Sequence, residues 1–582
     1  MPSRRALAIL PLIAALAACT TTRAPAPADS VTTDTAGPVT VKIVGLNDFH
    51  GNLEPLRRPI RVPLEGGESR EVRAGGAAYL ASAVARHRAG GDHSLVIAAG
   101  DLVGASPLVS SLFLDEPTVG AMNRMGLDFN AVGNHEFDRG WRELKRLQDG
   151  GCERHGLREP CAVERDFAGA DFAFLAANVV TEGGETLFPG TAIRRFGSGE
   201  RAVAVGVIGL TLKDTPSLVT PSGVAGLTFG DEAEAINARV PQLAAAGADA
   251  IVVAIHQGLE PEPGTPHTGC GAIAGPLRAI LERVDPRVDL VISGHTHRSY
   301  VCDFATVDPA RGFIVTSAGY GGTLLTEITL AIDPARDTVA SLAARNIVVQ
   351  NEGEAADPAF AVFPADGEMA AYVTRYSQAA RAASTRPVGR ISGPARDPGP
   401  ATEETALGNL IADAQLFATR SAGAQIALMN NSGIRAPIVP GPGGTVTFGD
   451  IFAAQPFGNT LVTRSYSGSQ LLALLEQQLD SDGFVQTFSV SEGFAFAYDM
   501  GRPEGSRIVS ASLDGQPIDP RASYRVTMNS FLAAGGDGFT VFERGTDGVT
   551  GPVDLDAMEA YLAQAETTAL PPTGRVTDLT GR

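Results

Sequence analysis

Five apolar segments of the chain each end in a short polar motif, and this repeated arrangement limits what the chain can fold into. The segments begin at residues 39, 94, 127, 248 and 288. Each has the length and the Val, Ile and Leu content of a buried strand, and stretches of helical composition lie between them. The alternation predicts an α/β fold with a largely parallel or mixed sheet, whose ligand site lies at the carboxyl ends of the strands.

The polar motifs contain the side chains expected of a metal site. They lie at residues 47–51, 100–101, 133–138, 256–258 and 294–297. Five of the nine histidines fall within them: His50, His135, His256, His295 and His297. Histidines that only fill a core would be scattered along the chain, so this concentration indicates a shared chemical role.

The ligand types favour two metal ions. Aspartate, histidine and asparagine without cysteine suit zinc, manganese, cobalt or iron. The candidates outnumber the ligands of one tetrahedral site, so two ions sharing a bridging carboxylate are expected. We expect Asp48 and His50 to reach one ion together, because side chains two residues apart point the same way in an extended chain.

Residues 133–138 provide an amide, an imidazole and a carboxylate in one short loop. Asn134 can ligate a metal through its side-chain oxygen. His135 can donate a proton or stabilise a developing negative charge, and Asp138 can hold the imidazole in one tautomer.

Length and charge set further limits. A chain of 582 residues is long enough for two large domains. The net charge of −19 argues against a protein that binds a nucleic-acid backbone, which needs a basic surface. An acidic protein that handles an anionic substrate needs local positive charge, from metals or from placed arginines.

Residues 1–19 are predicted to be a lipoprotein signal peptide and not part of the fold. Arg4 and Arg5 precede an apolar stretch at 6–15 that is too short to span a bilayer. Residues 16–19 resemble a bacterial lipobox, which implies cleavage before Cys19 and lipidation of its thiol. The threonine that follows favours the outer membrane, with the protein facing the periplasm or the cell surface. Residues 20–38 are predicted to be a flexible tether.

The four remaining cysteines are Cys152, Cys161, Cys270 and Cys302. An even number in an exported protein indicates two disulfides. Three pairings are possible, of which Cys152–Cys161 with Cys270–Cys302 is the simplest.

In their order along the chain, the five motifs resemble those of the calcineurin-like metallophosphoesterases. The forms at 47–51 and 133–138 resemble the 5′-nucleotidase family, which includes UDP-sugar hydrolases, and the resemblance extends from residue 39 to about 576. It implies that one ion is held by Asp48, His50, Asp101 and His297, and the other by Asp101, Asn134, His256 and His295. His135 would stabilise the transition state and Asp138 would orient it.

The resemblance also implies the domain organisation. A four-layer α/β metallophosphoesterase sandwich is expected at 39–346, a linker with an interdomain helix at 347–385, and an α/β substrate-binding domain at 386–582. The linker helix is predicted over 364–383, with an apolar side formed by Met369, Tyr372, Val373, Tyr376, Ala379 and Ala380.

Glycine-rich loops of the second domain carry an arginine, two phenylalanines and an aspartate. Such side chains can stack on a base, pair with phosphate and accept from ribose hydroxyls. The resemblance implies that Phe457 and Phe531 form the stacking pair and that Asp537 contacts the ribose. Asn430 and Arg435 would make the other polar substrate contacts.

One position departs from the family pattern. Members carry a further phosphate-binding arginine just before or within the motif at 408–410, where this chain has Asn409. Arg396 lies several residues upstream and is the nearest replacement, so the departure bears on phosphate affinity and on the choice of ester.

The function expected is that of a lipid-anchored 5′-nucleotidase, which hydrolyses nucleotides to nucleoside and phosphate with two divalent ions (Zn, Mn or Co). Its partner is a small nucleotide and not a nucleic-acid polymer. Other interpretations keep the fold and change the ester: a UDP-sugar or dinucleotide pyrophosphatase, a cyclic-nucleotide phosphodiesterase or a thiosulfohydrolase. A surface lipoprotein that binds nucleotides without turnover is a further alternative. Because the two halves of the site lie on different domains, catalysis is expected to need a domain rotation.

Overall fold

The computed structural model describes residues 37–56, 58–64, 66–155, 158–271, 273–396, 403–479 and 486–581. The predicted signal peptide with Cys19, and the predicted tether up to residue 36, lie outside these residues. Residues 38–582 form one compact unit. In the part of the chain described, no helix has both the length and the apolar character to cross a bilayer.

The N-terminal region, up to residue 363, alternates strands with helices as predicted. Its strands are β1 (Val39–Leu46), β2 (Ile60–Pro63), β3 (Ser69–Val72), β4 (His93–Ala98), β5 (Phe129–Ala131), β6 (Ala173–Leu175), β7 (Val179–Thr181), β8 (Thr191–Phe196), β9 (Val203–Leu210), β10 (Leu227–Phe229), β11 (Ala250–Ile255), β12 (Leu290–Ser293), β13 (Ser299–Asp303), β14 (Ile314–Ala318), β15 (Leu324–Asp333), β16 (Thr338–Val348), β17 (Gln350–Asn351) and β18 (Val362–Phe363). Its helices are α1 (Ala77–Arg88), α2 (Leu108–Ser111), α3 (Glu116–Met125), α4 (Trp141–Asp149), α5 (Thr215–Leu218), α6 (Glu232–Ala245) and α7 (Pro276–Leu281).

Two six-stranded mixed sheets pack face to face in this region. One has the order β16-β15-β1-β4-β5-β6 and the other the order β13-β14-β12-β11-β9-β8. The strands β1, β4, β5 and β6 are mutually parallel, as are β9, β11, β12 and β14. Side chains such as Ile43 and Ile97 of the first sheet meet Val207 and Val252 of the second in one buried cluster. Strands buried on both faces explain why their sequences are continuously apolar.

Helices cover the outer face of each sheet. Leu80 of α1 and Met122 of α3 belong to the cluster on the first sheet, and Ile236 of α6 and Leu277 of α7 belong to the cluster on the second. The result is the four-layer α/β sandwich expected from the sequence. Strand β16 runs to Val348, past residue 346, where the first domain was predicted to end.

A long helix, α8 (Gly367–Ser384), follows this region, close to the prediction of 364–383. The Asp366 carboxylate caps its first turn by accepting from the Met369 N–H. The predicted apolar side is buried with one exception, because Ala379 is exposed. Helix α8 packs against α1, α2 and α3, and its C-terminal part contacts the next region of the chain.

The C-terminal region has strands β19 (Pro387–Arg390), β20 (Ile426–Asn430), β21 (Thr445–Thr447), β22 (Thr460–Ser467), β23 (Phe488–Val490), β24 (Phe494–Tyr498), β25 (Ile508–Leu513), β26 (Gln516–Pro517), β27 (Ser523–Asn529), β28 (Thr546–Val553) and β29 (Val576–Asp578). Its helices are α9 (Ala406–Thr419), α10 (Phe448–Ala454), α11 (Gly468–Gln477), α12 (Ser530–Ala533) and α13 (Asp554–Leu562). A five-stranded sheet, β23-β20-β27-β22-β28, forms its centre, with α9 and α13 on one side and α11 on the other.

The N-terminal and C-terminal regions contact each other around helix α2. Leu108 and Leu112 join the core around α10 of the C-terminal region. The guanidinium of Arg158 lies 5.4 Å from the ring centroid of Phe452 on α10 and donates to the Ser111 carbonyl at 2.5 Å. Arg158 belongs to a loop closed by a disulfide between Cys152 and Cys161. This disulfide and the second one, Cys270–Cys302, confirm the simplest of the three pairings.

Candidate active site

The carboxyl ends of five strands bring all seven predicted metal ligands into two adjoining clusters. Strand β1 leads to Asp48 and His50, β4 to Asp101, β5 to Asn134, β11 to His256, and β12 to His295 and His297. Strands β1, β4 and β5 belong to one sheet and β11 and β12 to the other, so the side chains meet where the carboxyl ends of the parallel strands of both sheets lie together.

The first cluster contains Asp48, His50 and His297. The Nε2 atoms of the two histidines are 3.3 Å apart. The Asp48 Oδ1 atom lies 3.9 Å from Nε2 of His50 and 3.5 Å from Nε2 of His297. Asp48 and His50 are fully buried, whereas about a third of the His297 side chain is exposed. Three ligand atoms therefore face one point, which is open to solvent on the His297 side.

The second cluster contains Asp101, His256 and His295, with Asn134 between the two rings. The Asn134 Oδ1 atom lies 3.0 Å from Nε2 of His256 and 3.1 Å from Nδ1 of His295. The Asp101 Oδ2 atom is 3.0 Å from Nε2 of His256. The same oxygen is 3.6 Å from Nε2 of His50 in the first cluster. Asp101 thus touches both clusters, which is the position of a bridging carboxylate.

The histidine tautomers make both clusters suitable for cations. The Gly104 carbonyl lies 2.9 Å from Nδ1 of His50 and can only accept, so the hydrogen is on Nδ1 and the Nε2 lone pair faces His297. In the same way the Ala99 carbonyl lies 2.8 Å from Nδ1 of His256. Burial lowers the pKa of both His50 and His295 to about 3, which keeps these rings in the neutral form that ligates metals. Converging lone pairs and buried carboxylates repel one another unless a cation lies between them, so the residues present fit two metal ions.

The backbone at the ligands differs from the extended chain expected from the sequence. Asp48 and His50 have φ angles of 47° and 45°, and Asp101, His295 and His297 also lie in the left-handed region. The expectation that Asp48 and His50 point the same way because the chain is extended is therefore wrong. They reach one cluster through a tight left-handed turn, which costs on the order of 1 kcal/mol per residue and is typical of functional sites.

Glu136 connects the two ligand loops, a role that we did not predict from the sequence. Its carboxylate accepts from the N–H groups of Asp101, Leu102 and Gly133 at 2.7–2.9 Å. The side-chain amide of Asn130 adds a fourth donor at 3.3 Å. A Cβ atom at Gly133 would lie 2.2 Å from Oδ1 of Asp101, so only glycine permits this approach. Glu136 thereby fixes the position of Asp101 relative to the loop that carries Asn134 and His135.

Two other residues at the first cluster were also missed. The Asn47 amide donates to the Asp48 carboxylate at 2.7 Å, and its oxygen accepts from the Ala318 N–H at 2.7 Å. The ring of Tyr320 lies 4.6 Å from the His297 ring centroid and 5.4 Å from that of His50. Asn47 belongs to a motif that the sequence analysis singled out, but the contact of Tyr320 with His297 has no sequence signal.

His135 lies beside the two clusters, and its Nδ1 atom is 3.0 Å from both carboxylate oxygens of Asp138. Carboxylates only accept, so Nδ1 carries a hydrogen and Nε2 faces away from Asp138. Burial opposes protonation of His135, but the charges of Asp138 and Asp101 outweigh it and raise the pKa above 6.5. The imidazole is thus equipped to hold a proton near neutral pH.

The C-terminal region contributes Phe457 and Arg435 to the same site. The rings of Phe457 and His135 are stacked, with centroids 5.9 Å apart. Arg435 donates to the Ser432 carbonyl at 3.4 Å, and its charge adds to the larger effect of burial in lowering the pKa values of His50, His295 and His297. The structure therefore brings these two predicted substrate residues to the metal clusters.

The other three predicted substrate residues lie together in the C-terminal region. The Asn430 amide donates to Asp537 Oδ2 at 3.0 Å. Phe531, on α12, packs against Gly536, where a Cβ atom would lie 2.5 Å from the ring. The turn that contains Asp537 also contacts α5 of the N-terminal region.

Asn409, the residue that departs from the family pattern, makes structural contacts inside the C-terminal region. The Asn409 amide is buried and donates to Glu404 Oε1 at 2.8 Å and to the Pro572 carbonyl at 3.0 Å. Asn409 thus anchors the C-terminal segment of the chain. Arg396, the nearest replacement in sequence, is exposed.

Comparison with known proteins gives the family. Residues 41–299 match the calcineurin-like phosphoesterases, and residues 387–544 match the 5′-nucleotidase C-terminal domain. The chain belongs to the calcineurin-like phosphoesterases that carry a 5′-nucleotidase C-terminal domain. Enzymes of this phosphoesterase class use a dinuclear metal site, in keeping with the two clusters.

The individual relatives of this chain differ in length and in name. It is 29% identical to Endonuclease YhcR of Bacillus subtilis over 90% of the chain, and 30% identical to Cell wall protein Lmo0130 of Listeria monocytogenes over 88%. It spans only 40% and 65% of the length of these two relatives. A solved 5′-nucleotidase precursor from Thermus thermophilus superposes with a TM-score of 0.72 at 27% identity, covering 93% of this chain and 99% of that one.

Proposed function

We propose that the protein is a two-metal 5′-nucleotidase, which hydrolyses nucleotides to nucleoside and phosphate. The observation that carries the proposal is the position of the His135–Asp138 pair, beside two metal-ligand clusters and stacked on Phe457. A metal-binding protein without turnover has no use for an imidazole that a carboxylate holds beside both clusters in this way.

Two divalent ions, zinc, manganese or cobalt, would be held by the two clusters, with Asp101 between them. When bound, such ions activate water and neutralise the charge of phosphate oxygens. Arg435 adds a guanidinium at the same place, and its planar fork suits a phosphoryl group. These cations provide the local positive charge that an acidic protein needs for an anionic substrate.

His135 is placed to act on the leaving group. Hydrolysis breaks the bond between phosphorus and the nucleoside oxygen, and that oxygen must gain a proton as it leaves. Asp138 holds Nδ1 of His135, so Nε2 is the ring nitrogen left to act on the substrate. The imidazole can stabilise the negative charge and pass its proton to the leaving oxygen, and Asp138 stabilises the imidazolium until then.

The nucleoside would lie against the C-terminal region. Phe457 and Phe531 offer aromatic faces for a base, and Asp537 an acceptor for ribose hydroxyls. Asn430 would contact the substrate beside Asp537. Hydrolysis of diesters such as cyclic nucleotides or UDP-sugars is a second candidate. It is supported by Asn409, which makes structural contacts inside the fold where the family pattern leads us to expect a phosphate-binding arginine.

We also propose that the protein is exported and attached to the outer membrane through a lipid on Cys19, with no other membrane contact. Support comes from the lipobox-like segment at 16–19 and, for export alone, from the Listeria relative, which is named a cell wall protein.

The test is phosphate release from AMP, beside hydrolysis of UDP-glucose and bis(4-nitrophenyl) phosphate. The purified protein is measured after chelation and again with Mn²⁺, Co²⁺ or Zn²⁺ restored, in parallel with His135→Ala. Metal-dependent release from AMP that is lost in the variant supports the 5′-nucleotidase. Activity on the diesters alone supports the second candidate, and no activity with two ions bound contradicts both.

A further inference from the structure

A polar network in the C-terminal region surrounds one oxygen of Asp537. The Oδ2 atom accepts hydrogen bonds from three side chains: Asn430 Nδ2 at 3.0 Å, Ser432 Oγ at 2.8 Å and Gln486 Nε2 at 2.8 Å. A carboxylate oxygen with three donors has no capacity left for a ligand.

The second oxygen of Asp537 is in a different position. No described residue donates a hydrogen bond to Oδ1, and the side chain is half-buried at the surface of the site. Asp537 also has a φ angle of 56°, in the left-handed region, which residues other than glycine seldom adopt. The network thus leaves one carboxylate oxygen without a donor among the described residues.

Gln486 is held at both ends of its amide. Its nitrogen donates to Asp537, and its oxygen accepts from the Ser432 N–H at 3.3 Å. Only 1% of Gln486 is exposed, and the residue lies just before β23, which pairs with β20 in the central sheet. Gln486 therefore ties the turn that carries Asp537 to the rigid part of the domain.

The same network reaches Phe531. The Asn529 amide donates to Asn430 Oδ1 at 2.9 Å, and the Asn529 oxygen accepts from the Leu532 N–H at the start of α12. Helix α12 contains Phe531. The orientation of the Asp537 carboxylate and the position of this aromatic ring are thus linked through a short chain of hydrogen bonds.

We propose that Gln486 is a positioning residue for sugar recognition: it fixes Asp537 so that Oδ1 accepts from the hydroxyls of a ribonucleoside. The proposal rests on the proposed function, since it concerns the sugar of that substrate. Sequence gave no sign of this role, because Gln486 is about fifty residues from Asp537 in the chain. The expected consequence is a preference for ribonucleosides over nucleosides that lack these hydroxyls.

Equilibrium binding tests this without any need for turnover. The full chain is titrated with adenosine and with 2′,3′-dideoxyadenosine, in the native form and as Gln486→Ala, Gln486→Met, Asp537→Ala and the Gln486→Ala/Asp537→Ala double variant. Gln486→Met serves if the alanine variant does not fold, because methionine keeps the length of the side chain, carries no charge and removes the donor to Asp537. Gln564→Ala is the matched control, because Gln564 is exposed and remote in sequence from the network.

Both Gln486 variants are expected to bind adenosine about tenfold more weakly, as for the loss of one hydrogen bond to a charged group. Their affinity for 2′,3′-dideoxyadenosine should stay unchanged, and the double variant should bind adenosine no more weakly than Asp537→Ala. The proposal would be overturned if the Gln486 variants bound adenosine as tightly as the native protein, or if they lost equal affinity for both nucleosides. It would also be overturned if the affinity losses of the two single variants added in the double variant. If the native chain binds adenosine but does not hydrolyse AMP, the proposed function fails while this inference stands; if it binds neither nucleoside, this inference fails.

Discussion

The imidazole of His135 and the ring of Phe457 lie face to face, with centroids 5.9 Å apart and planes inclined by 17°. His135 follows β5 of the N-terminal region, and Phe457 follows α10 of the C-terminal region. A group predicted to protonate the leaving oxygen is thus in contact with a ring predicted to stack on the base. The two regions must lie together for this contact to form.

Replacing Phe457 by alanine is expected to weaken nucleotide binding more than chemistry. Stacking of a base on an aromatic ring contributes about 1–3 kcal/mol, so KM for AMP should rise at least about fivefold. Hydrolysis of 4-nitrophenyl phosphate, which has no nucleobase, should change much less. Steady-state kinetics with both substrates measures this, and Phe417→Ala is the control because Phe417 lies on α9 against Tyr561. An equal loss with both substrates would point to damage at His135 instead.

Glu136→Gln should disturb the metal site although it replaces no predicted metal ligand. Four donors converge on the Glu136 carboxylate, and a glutamine would direct its own N–H₂ group at some of them. The free energy of unfolding is expected to fall by about 1–3 kcal/mol. Metal content after dialysis, measured by mass spectrometry, should fall below that of the native protein. Glu200→Gln, at an exposed site, should leave both quantities unchanged.

Removal of metal should abolish hydrolysis, and replacing Asp101 should weaken the binding of both ions. The Asp101 carboxylate lies 3.0 Å from Nε2 of His256 and 3.6 Å from Nε2 of His50. Asp101→Asn should therefore lower metal stoichiometry from two ions to one or fewer per chain. His297→Ala should weaken one ion only, because His297 contacts only the first cluster. Equal stoichiometries in the two variants would show that Asp101 is not the bridging ligand.

A crosslink between the two regions tests the expected domain rotation. Arg158 and Phe452 are in contact across the boundary, and Ala453 is the next residue of α10. Cysteines at Arg158 and Ala453, joined by a short bismaleimide, should lower AMP turnover at least about tenfold if product release requires the regions to separate. Each single-cysteine variant treated with the reagent is the control. Full turnover in the crosslinked protein would rule out a required rotation.

Asp554 is expected to make the free energy of unfolding depend on pH. Burial raises its pKa to about 7, from 3.8. The folded state thus binds the proton more tightly than the unfolded state, and the free energy of unfolding falls as pH rises from about 4 to 7. Asp554→Asn does not titrate, so it should gain about 2–4 kcal/mol relative to the native protein between pH 4 and 8. Urea unfolding across this range measures the difference, and the exposed neighbour Asp556, changed to asparagine, should show much less.

The sequence by itself determined where the predicted metal ligands lie along the chain. They follow apolar strands, and parallel strands end at one edge of a sheet, so the strand pattern predicted that residues such as His256 and His295 share one region of the fold. The apolar side of α8 was predicted for the same reason, since helical periodicity is a local property. Ala379 was the exception, because the exposure of one residue at the margin of that side depends on what packs beside it.

Only the tertiary structure decided which groups support the ligands. No sequence pattern indicates the role of Glu136, yet four donors from two loops and strand β5 meet at its carboxylate. The left-handed turn at Asp48 and His50 replaced the extended chain that residue spacing suggested. Gln486 reaches Asp537 only because β23 pairs with β20. Such contacts depend on long-range packing. The distance between two residues along the sequence does not show whether they meet in the folded protein.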